Sequence, residues 1–255
     1  DIPAGFEIVA NTPQFKDLPI IIGESDPEAC AACGMTTNPE NAYRNGTMYS
    51  SYTAASFARV YELAQQFDVN LEGVTSWSFE FEGQRWFDGF RDLATNGVDK
   101  PVLNVFRMYG LMKGDRLKVI NDLALPIDSI LEKSVRGKVP DVHALAVGDE
   151  HAASIMVWNY HDADVPREPV NIKLSIKNIA PGRVLLCHYR IDSAHSNSYE
   201  AWKKMGSPQN VSPDQYRELE RSGYLQLLHS PQWIKSTGEA TVEFSLPSQG
   251  VSLVT

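Results

Sequence analysis

The segment that most narrows the fold is Pro19-Ile20-Ile21-Ile22-Gly23-Glu24. Three consecutive β-branched apolar residues, with no polar residue between them, predict a short strand buried on both faces. Gly23 ends the run and Glu24 follows at once. Such strands belong to parallel sheets covered by helices, and in a parallel α/β barrel the C-terminal strand ends form the active face. A carboxylate one residue past such a strand stands at that rim, or is simply a solvated loop residue. Spacing alone leaves both readings open.

The next hundred or so residues continue the α/β pattern. Residues 25–48 read as a long loop with Gly34, Pro39 and Gly46, and loops of that length in a compact domain usually serve a function. Ser50 or Ser51 then caps a helix, with Phe57, Val60, Tyr61, Ala64 and Phe67 at helical spacing on its core face. A second strand is expected over about Leu71 to Phe79, ending in the cluster Trp77, Phe79, Glu80, Phe81 and Glu82. An indole beside carboxylates suits a sugar, whose apolar ring face stacks while its hydroxyls donate. Alternating Phe and Glu also suits a plain hairpin, apolar in and polar out. Pro101 opens another helix, with Val102, Val105, Phe106, Tyr109 and Met112 inward and Gly114 as its stop.

Beyond about Arg116 the character changes. Short β-rich runs at Val142–Val147, Ala153–Tyr160, Val170–Ile176, Val184–Ile191, Ala240–Ser245 and Gly250–Val254 predict a β-sandwich. His161-Asp-Ala-Asp-Val-Pro166 lies between two of them and reads as a solvated hairpin loop rather than a metal site. Ser212-Pro-Asp-Gln215 is a capping box for one interrupting helix on the surface.

A net charge of −9 over 255 residues, with no basic run, makes nucleic acid and anionic membranes poor partners. No apolar run approaches the ~18 residues of a membrane helix. The opening residues lack the basic start and apolar core of a signal peptide and read as the interior of a longer chain. Cys30 and Cys33 form a CxxC, with only Cys187 elsewhere. Without four ligands for zinc or a thioredoxin-like unit around them, they are expected to be small residues packing the loop after Glu24, ahead of a local disulfide. No metal and no cofactor is expected. Sequons occur at Asn45 and Asn210, the second followed by Pro213, and no compartment is legible.

Ile22-Gly-Glu-Ser-Asp-Pro27 resembles the nucleophile segment of glycoside hydrolase family 39. The likeness continues through Asn41-Ala-Tyr-Arg-Asn-Gly-Thr47, Val69–Glu82 and Gly97–Arg107, where it is nearest the bacterial β-xylosidases. His188-Tyr-Arg-Ile-Asp192 through Leu219 is similar to the end of the α-L-iduronidases. The resemblance covers nearly the whole chain, but only the C-terminal half of a family member. It implies the last two βα units of a (β/α)8 barrel in residues 1–115 and a β-sandwich accessory domain in 116–255.

It also implies a retaining β-xylosidase acting on the ends of xylo-oligosaccharides. Such an enzyme uses two carboxylates, one nucleophilic and one acid/base. Glu24 matches the nucleophile, Trp77 a tryptophan of the last barrel strand, and Glu80 or Glu82 the carboxylate that binds sugar hydroxyls. Tyr43, Arg44 and Asn45 are candidate hydrogen-bond donors to Glu24 or to the sugar. The family's acid/base is a Glu after an Asn, and this chain has no Asn-Glu dipeptide. The resemblance therefore implies that an N-terminal half of the same enzyme is the partner that supplies it. Non-catalytic carbohydrate binding, a redox or metal protein, and iduronide or arabinoside specificity are the competing readings.

Overall fold

The computed structural model describes residues 2–255. Helix α1 (Ile2–Ala10) leads to strand β1 (Ile20–Ile22). A long loop with a 3-10 turn over Pro39–Asn45 then enters helix α2 (Thr47–Phe67), which returns to strand β2 (Leu71–Val74). β1 and β2 pair in parallel, Ile21 opposite Gly73 and Ile22 opposite Val74. Parallel neighbours need a long crossover, and α2 supplies it. Its Val60, Leu63 and Ala64 pack with Ile20, Ile22, Leu71 and Val74, closing a β-α-β unit.

Four details of this unit depart from the sequence reading. β1 is not buried on both faces: Ile20 and Ile22 turn toward α2, while Ile21 is 62% exposed because no described element packs on its side. α2 begins at Thr47 behind Gly46, so Ser50 and Ser51 are interior helix residues rather than caps. Both are buried, and the Ser51 hydroxyl donates to Gln249 Oε1 at 2.6 Å. Tyr61, placed on the core stripe by spacing, is partly exposed. The second strand also stops at Val74 rather than Phe79, because the chain beyond it bonds to the loop after β1 instead of continuing the ladder.

Strands β3 (Ala94–Thr95) and β4 (Val98–Asp99) form a tight hairpin. Its turn is Asn96-Gly97, both at positive φ (50° and 78°), as two-residue hairpins prefer. Helix α3 (Pro101–Leu111) starts on its proline and lies against α2. Phe57 meets Phe106 and Tyr109 at ring distances of 5.5 and 6.1 Å, and the Tyr109 hydroxyl donates to the Ala54 carbonyl at 2.9 Å. Met108 and Asn104, not anticipated on the inner face, are fully buried there.

The rest of the chain is mainly antiparallel β-structure. It runs β5 (Asp115–Leu117), α4 (Ile127–Lys133), β6 (Asp141–Gly148), β7 (Ala153–Tyr160), β8 (Val170–Lys177), β9 (Gly182–Leu186) and β10 (His188–Ile191). Then follow α5 (Ser198–Lys204), α6 (Pro213–Gly223), β11 (Gln226–Leu227), β12 (Gln232–Ser236), β13 (Glu239–Leu246) and β14 (Val251–Val254). One six-stranded sheet has the order β11-β10-β14-β7-β6-β5. Two antiparallel ribbons, β13-β8 and β12-β9, form a second layer. The run expected as one strand over Val184–Ile191 is two, because the chain leaves the ribbon at Cys187 and enters the sheet at His188. The capping box at Ser212 is formed as expected.

Alternation along β7 shows how the sheet is held. Ile155 and Val157 point to the ribbons, where they meet Ile172 and Leu246. Met156, Trp158 and Tyr160 point the other way, into a core with Ala54, Ala55 and Ala58 of α2 and Val105 and Met108 of α3. β7 is thus buried on both faces, between helices on one side and strands on the other. Buried charge ties the layers together: Arg59 of α2 bonds Asp141 of β6 at 2.7 Å, and Asp141 also accepts from the Trp158 indole at 3.0 Å. α2 therefore has two buried faces, one for β1 and β2 and one for the antiparallel sheet.

Candidate active site

The loop after β1 and the chain after β2 meet at the C-terminal ends of the two parallel strands. Thr75 joins them, donating from its amide to the Ile22 carbonyl at 2.9 Å and from its hydroxyl to the Gly23 carbonyl at 2.6 Å. Glu24 stands at this end with its side chain 47% exposed, so its carboxylate is open to an incoming ligand. Its ion-pair partner is Arg91, whose guanidinium is almost wholly buried. Arg91 is fixed from three other directions. Its Nη1 donates to the Glu28 carbonyl, its Nε to the Trp77 carbonyl at 3.3 Å, and its amide to the Ala31 carbonyl at 2.9 Å. One cation therefore joins the Glu24 carboxylate, the loop behind it and the chain after β2.

Asp26 is the second organising group. It accepts from the Tyr49 hydroxyl at 2.8 Å, the Ser76 hydroxyl at 2.6 Å and the Trp77 amide at 2.9 Å. Burial, reinforced by the Asp26 charge, pushes the Tyr49 phenol well above its ordinary range, so it stays a proton donor. Trp77 is thereby anchored through its backbone while the residue remains 57% exposed. A fixed backbone with a free ring face is what a stacking platform for a sugar needs.

The expected donors from the 3-10 turn have other duties. Arg44 is buried and bonds Glu28 Oε2 at 2.5 Å and the carbonyls of Cys30 and Cys33 at 3.0 and 3.1 Å. Asn45 is buried too, donating to the Phe87 carbonyl at 2.8 Å and accepting from the Gly89 amide at 3.2 Å. These two shape the loop: their hydrogen bonds go to Glu28, to loop carbonyls and to the Gly89 amide, and none goes to Glu24. Tyr43 is half-buried beside Glu28, and burial raises its phenol. Burial of Asn45 also closes the first sequon in the folded chain.

Cys30 and Cys33 are joined in a disulfide, Cα to Cα 5.4 Å, which corrects the expectation of two free packing residues. Here the Arg44 guanidinium holds both cysteine carbonyls in one tight turn, bringing the sulfurs within bonding reach. Cys187 is a free thiol.

Glu80 turns toward the β3–β4 hairpin, where it accepts from the Gly97 amide at 2.8 Å. Glu82 makes no hydrogen bond or ion pair among the described residues. Of the two, Glu80 is the one spent on the fold. Below them Lys100 and Asp92 form a fully buried pair at 2.5 Å, burial lowering the lysine and raising the carboxyl against their mutual attraction. Lys100 also donates to the Phe90 carbonyl at 3.0 Å, bracing the segment that carries Arg91. On its far side, Phe87 packs against Tyr199 and Trp202 of α5 at ring distances of 5.4 and 5.1 Å.

The structure thus brings Glu24 and the backbone of Trp77 onto one cation. It leaves Arg44 and Asn45 in the loop wall and Glu80 on the hairpin. Sequence reading missed Arg91, Asp26 and Glu28. Asp26 had a signal, a carboxylate two residues past Glu24; Arg91 had none, since its contacts are remote in sequence. His161, expected to be solvated, is buried, with Nε2 2.9 Å from the Gly137 carbonyl. Among the described residues no group of three or more His, Cys, Asp or Glu is placed to hold a metal ion, and no helix is long and apolar enough to cross a membrane.

Comparison with known proteins bears on this arrangement. The family model for glycosyl hydrolases family 39 matches residues 7–227. A β-xylosidase of Caldicellulosiruptor saccharolyticus is 26% identical over 195 residues, 74% of this chain and 37% of that protein. Among solved structures, the family 39 enzyme of Xanthomonas axonopodis pv. citri superposes with a TM-score of 0.75 at 14% identity, covering 99% of this chain and 47% of that one. A monomeric β-xylosidase of Caulobacter crescentus CB15 gives a TM-score of 0.73 at 18% identity, over 99% and 48%. A bacterial orthologue of human α-L-iduronidase gives 0.75 at 18%, over 99% and 44%. The chain therefore spans less than half the length of each of these relatives while sharing their fold almost from end to end. By its matched residues, this chain is a member of glycosyl hydrolases family 39.

Proposed function

We propose that the chain carries the nucleophile half of a retaining, exo-acting β-xylosidase. Glu24 attacks the anomeric carbon of a terminal xyloside and forms a glycosyl-enzyme, which water then releases. Trp77 offers the sugar a ring face, and Glu82, uncommitted to the fold, accepts from its hydroxyls. Arg91 and Asp26 hold Glu24 and Trp77 in register at the strand ends. Residues 1–115 are read as the closing βα units of a (β/α)8 barrel and residues 116–255 as a β-sandwich packed on α2 and α3. The proton donor comes from the N-terminal half of the same polypeptide, lying against the open side of β1 where Ile21 is exposed.

The observation that carries this reading is Glu24 itself: an open carboxylate, two residues past a parallel strand, on a buried cation. The relative named a β-xylosidase favours xylosides over iduronides. The test uses the longer polypeptide that contains this chain. It should hydrolyse nitrophenyl β-xyloside faster than the arabinoside or iduronide. Glu24→Ala should abolish this, and azide should restore it with formation of the α-xylosyl azide, since a small anion then attacks where the carboxylate stood. Azide rescue yielding the β-anomer, or full activity in Glu24→Ala, refutes the assignment.

A further inference from the structure

A cavity of about 670 Å³ opens between the loop after β1 and the loop joining β7 to β8, and Glu24 does not line it. Its walls bring Tyr43, Tyr52 and Tyr160 together with the carboxylates of Glu28, Asp162 and Asp164. Glu40 and Arg136 complete the polar rim. The volume lies within the ~300–1,000 Å³ range of small-ligand sites.

The walls are held in place before any ligand arrives. Tyr52 and Tyr160 meet edge to face at 5.8 Å. The Tyr160 hydroxyl donates to Asp162 Oδ1 at 2.6 Å, and Arg136 donates to Oδ2 of the same carboxylate at 3.1 Å. Arg44 fixes Glu28 at 2.5 Å. Asp164, by contrast, makes no hydrogen bond or ion pair among the described residues and is exposed at the rim.

This chemistry selects its occupant. Phenol rings offer apolar faces to a ring-shaped ligand, and carboxylates accept from hydroxyls. Four carboxylates against two arginines, Arg136 on Asp162 and Arg44 on Glu28, leave the cavity net negative, which repels uronates, phosphates and other anions. No three of the acidic groups converge as metal ligands, so a point cation is not what the cavity is built for. We propose that the cavity between the loop after β1 and the β7–β8 loop is a second saccharide site, taking a short neutral oligosaccharide outside the site of Glu24. Its recognition chemistry is independent of the role of Glu24, so Glu24→Gln serves as the background for testing it.

The longer polypeptide that contains this chain, carrying Glu24→Gln, is titrated with xylotetraose, cellotetraose and glucuronate while its amide resonances are followed by NMR. Xylotetraose or cellotetraose should bind saturably below about 10 mM, shifting the amides of Tyr43, Tyr52 and Asp164, and glucuronate should not. Preference between the two tetraoses tells whether the site takes the enzyme's own polymer or another glycan. Asp164→Asn, at an exposed position that leaves packing intact, should weaken binding about fivefold, as should Tyr43→Ala. Trp77→Ala should leave it unchanged. The proposal is overturned if neither tetraose saturates, if glucuronate binds as well as they do, or if Trp77→Ala abolishes binding while Asp164→Asn does not.

Discussion

The buried guanidinium of Arg91 pairs with the exposed carboxylate of Glu24 and, through Nε, also holds the Trp77 carbonyl. Glu24 and Trp77, the two groups assigned to the sugar in the proposed function, are therefore both held by one buried residue. Losing a hydrogen-bond partner to a charged group costs about 1.5–3 kcal/mol. Arg91→Gln is expected to lower kcat/KM of the longer polypeptide by at least about tenfold, by the usual conversion of free energy to rate. Arg91→Lys should recover part of the loss, since it restores the charge without the fork. Steady-state kinetics of the two variants side by side measures this.

The Cys30–Cys33 disulfide closes a short loop, for which the chain-entropy relation gives about 2 kcal/mol. Arg44 also holds both cysteine carbonyls, so reduction should loosen the turn without unfolding the chain. Thiol titration of the unfolded, unreduced protein should find one thiol, Cys187, and three after reduction. Amide exchange in the reduced protein should rise over residues 28–35 and stay constant in β7.

The parallel pair and its crossover helix were legible because three isoleucines, a glycine and an apolar helical stripe all pointed one way. The capping box at Ser212 and the long strand over Ala153–Tyr160 were legible for the same local reason. What escaped depended on remote contacts. Ser50 and Ser51 looked like caps because the partner that buries Ser51, Gln249, lies at the other end of the chain. Arg44 looked like a substrate contact because nothing local reveals that its guanidinium turns back onto Glu28. The break at Cys187 was hidden because both halves of Val184–Ile191 have strand propensity, and only the two-layer packing decides that they part.

The Arg59–Asp141 pair joins α2 to the antiparallel sheet and is buried on both sides. Removing Asp141 takes from Arg59 its buried partner but leaves it Glu62 at 2.7 Å and the Leu125 carbonyl at 2.9 Å, which puts the cost at the low end of the range of about 3–5 kcal/mol for breaking a buried pair. Asp141→Ala should lower stability by that amount in urea unfolding, and Asp141→Asn by less, because the amide oxygen can still accept from Arg59 and Trp158. A stability unchanged by Asp141→Ala contradicts the role given to this pair.

His188 is buried against Phe244 and Ser252, and burial, with the Arg190, His229 and His195 charges adding to it, lowers its pKa to about 3. In the unfolded chain the imidazole titrates near 6.5. Between those values the unfolded state binds the extra proton, so stability falls as pH drops below about 6.5, by up to 1.4 kcal/mol per pH unit for this group. His188→Gln removes that dependence and should flatten the acid side of a stability-against-pH curve. Asp192 acts in the same direction. Its burial favours the neutral carboxyl, but the Ala194 amide, His195 and Arg190 together lower its pKa, so its contribution is lost as pH falls through the folded-state value. Urea midpoints from pH 7 to pH 4 measure the His188 effect, and points carried below pH 4 measure that of Asp192.

The assignment of Glu24 is tested most directly by trapping. A 2-fluoro xyloside with a dinitrophenolate leaving group needs little help from an acid, so it reports on the nucleophile alone. The longer polypeptide is treated with it, digested and sequenced by mass spectrometry. The account predicts one fluoroxylosyl label, on Glu24; a label on any other residue contradicts it.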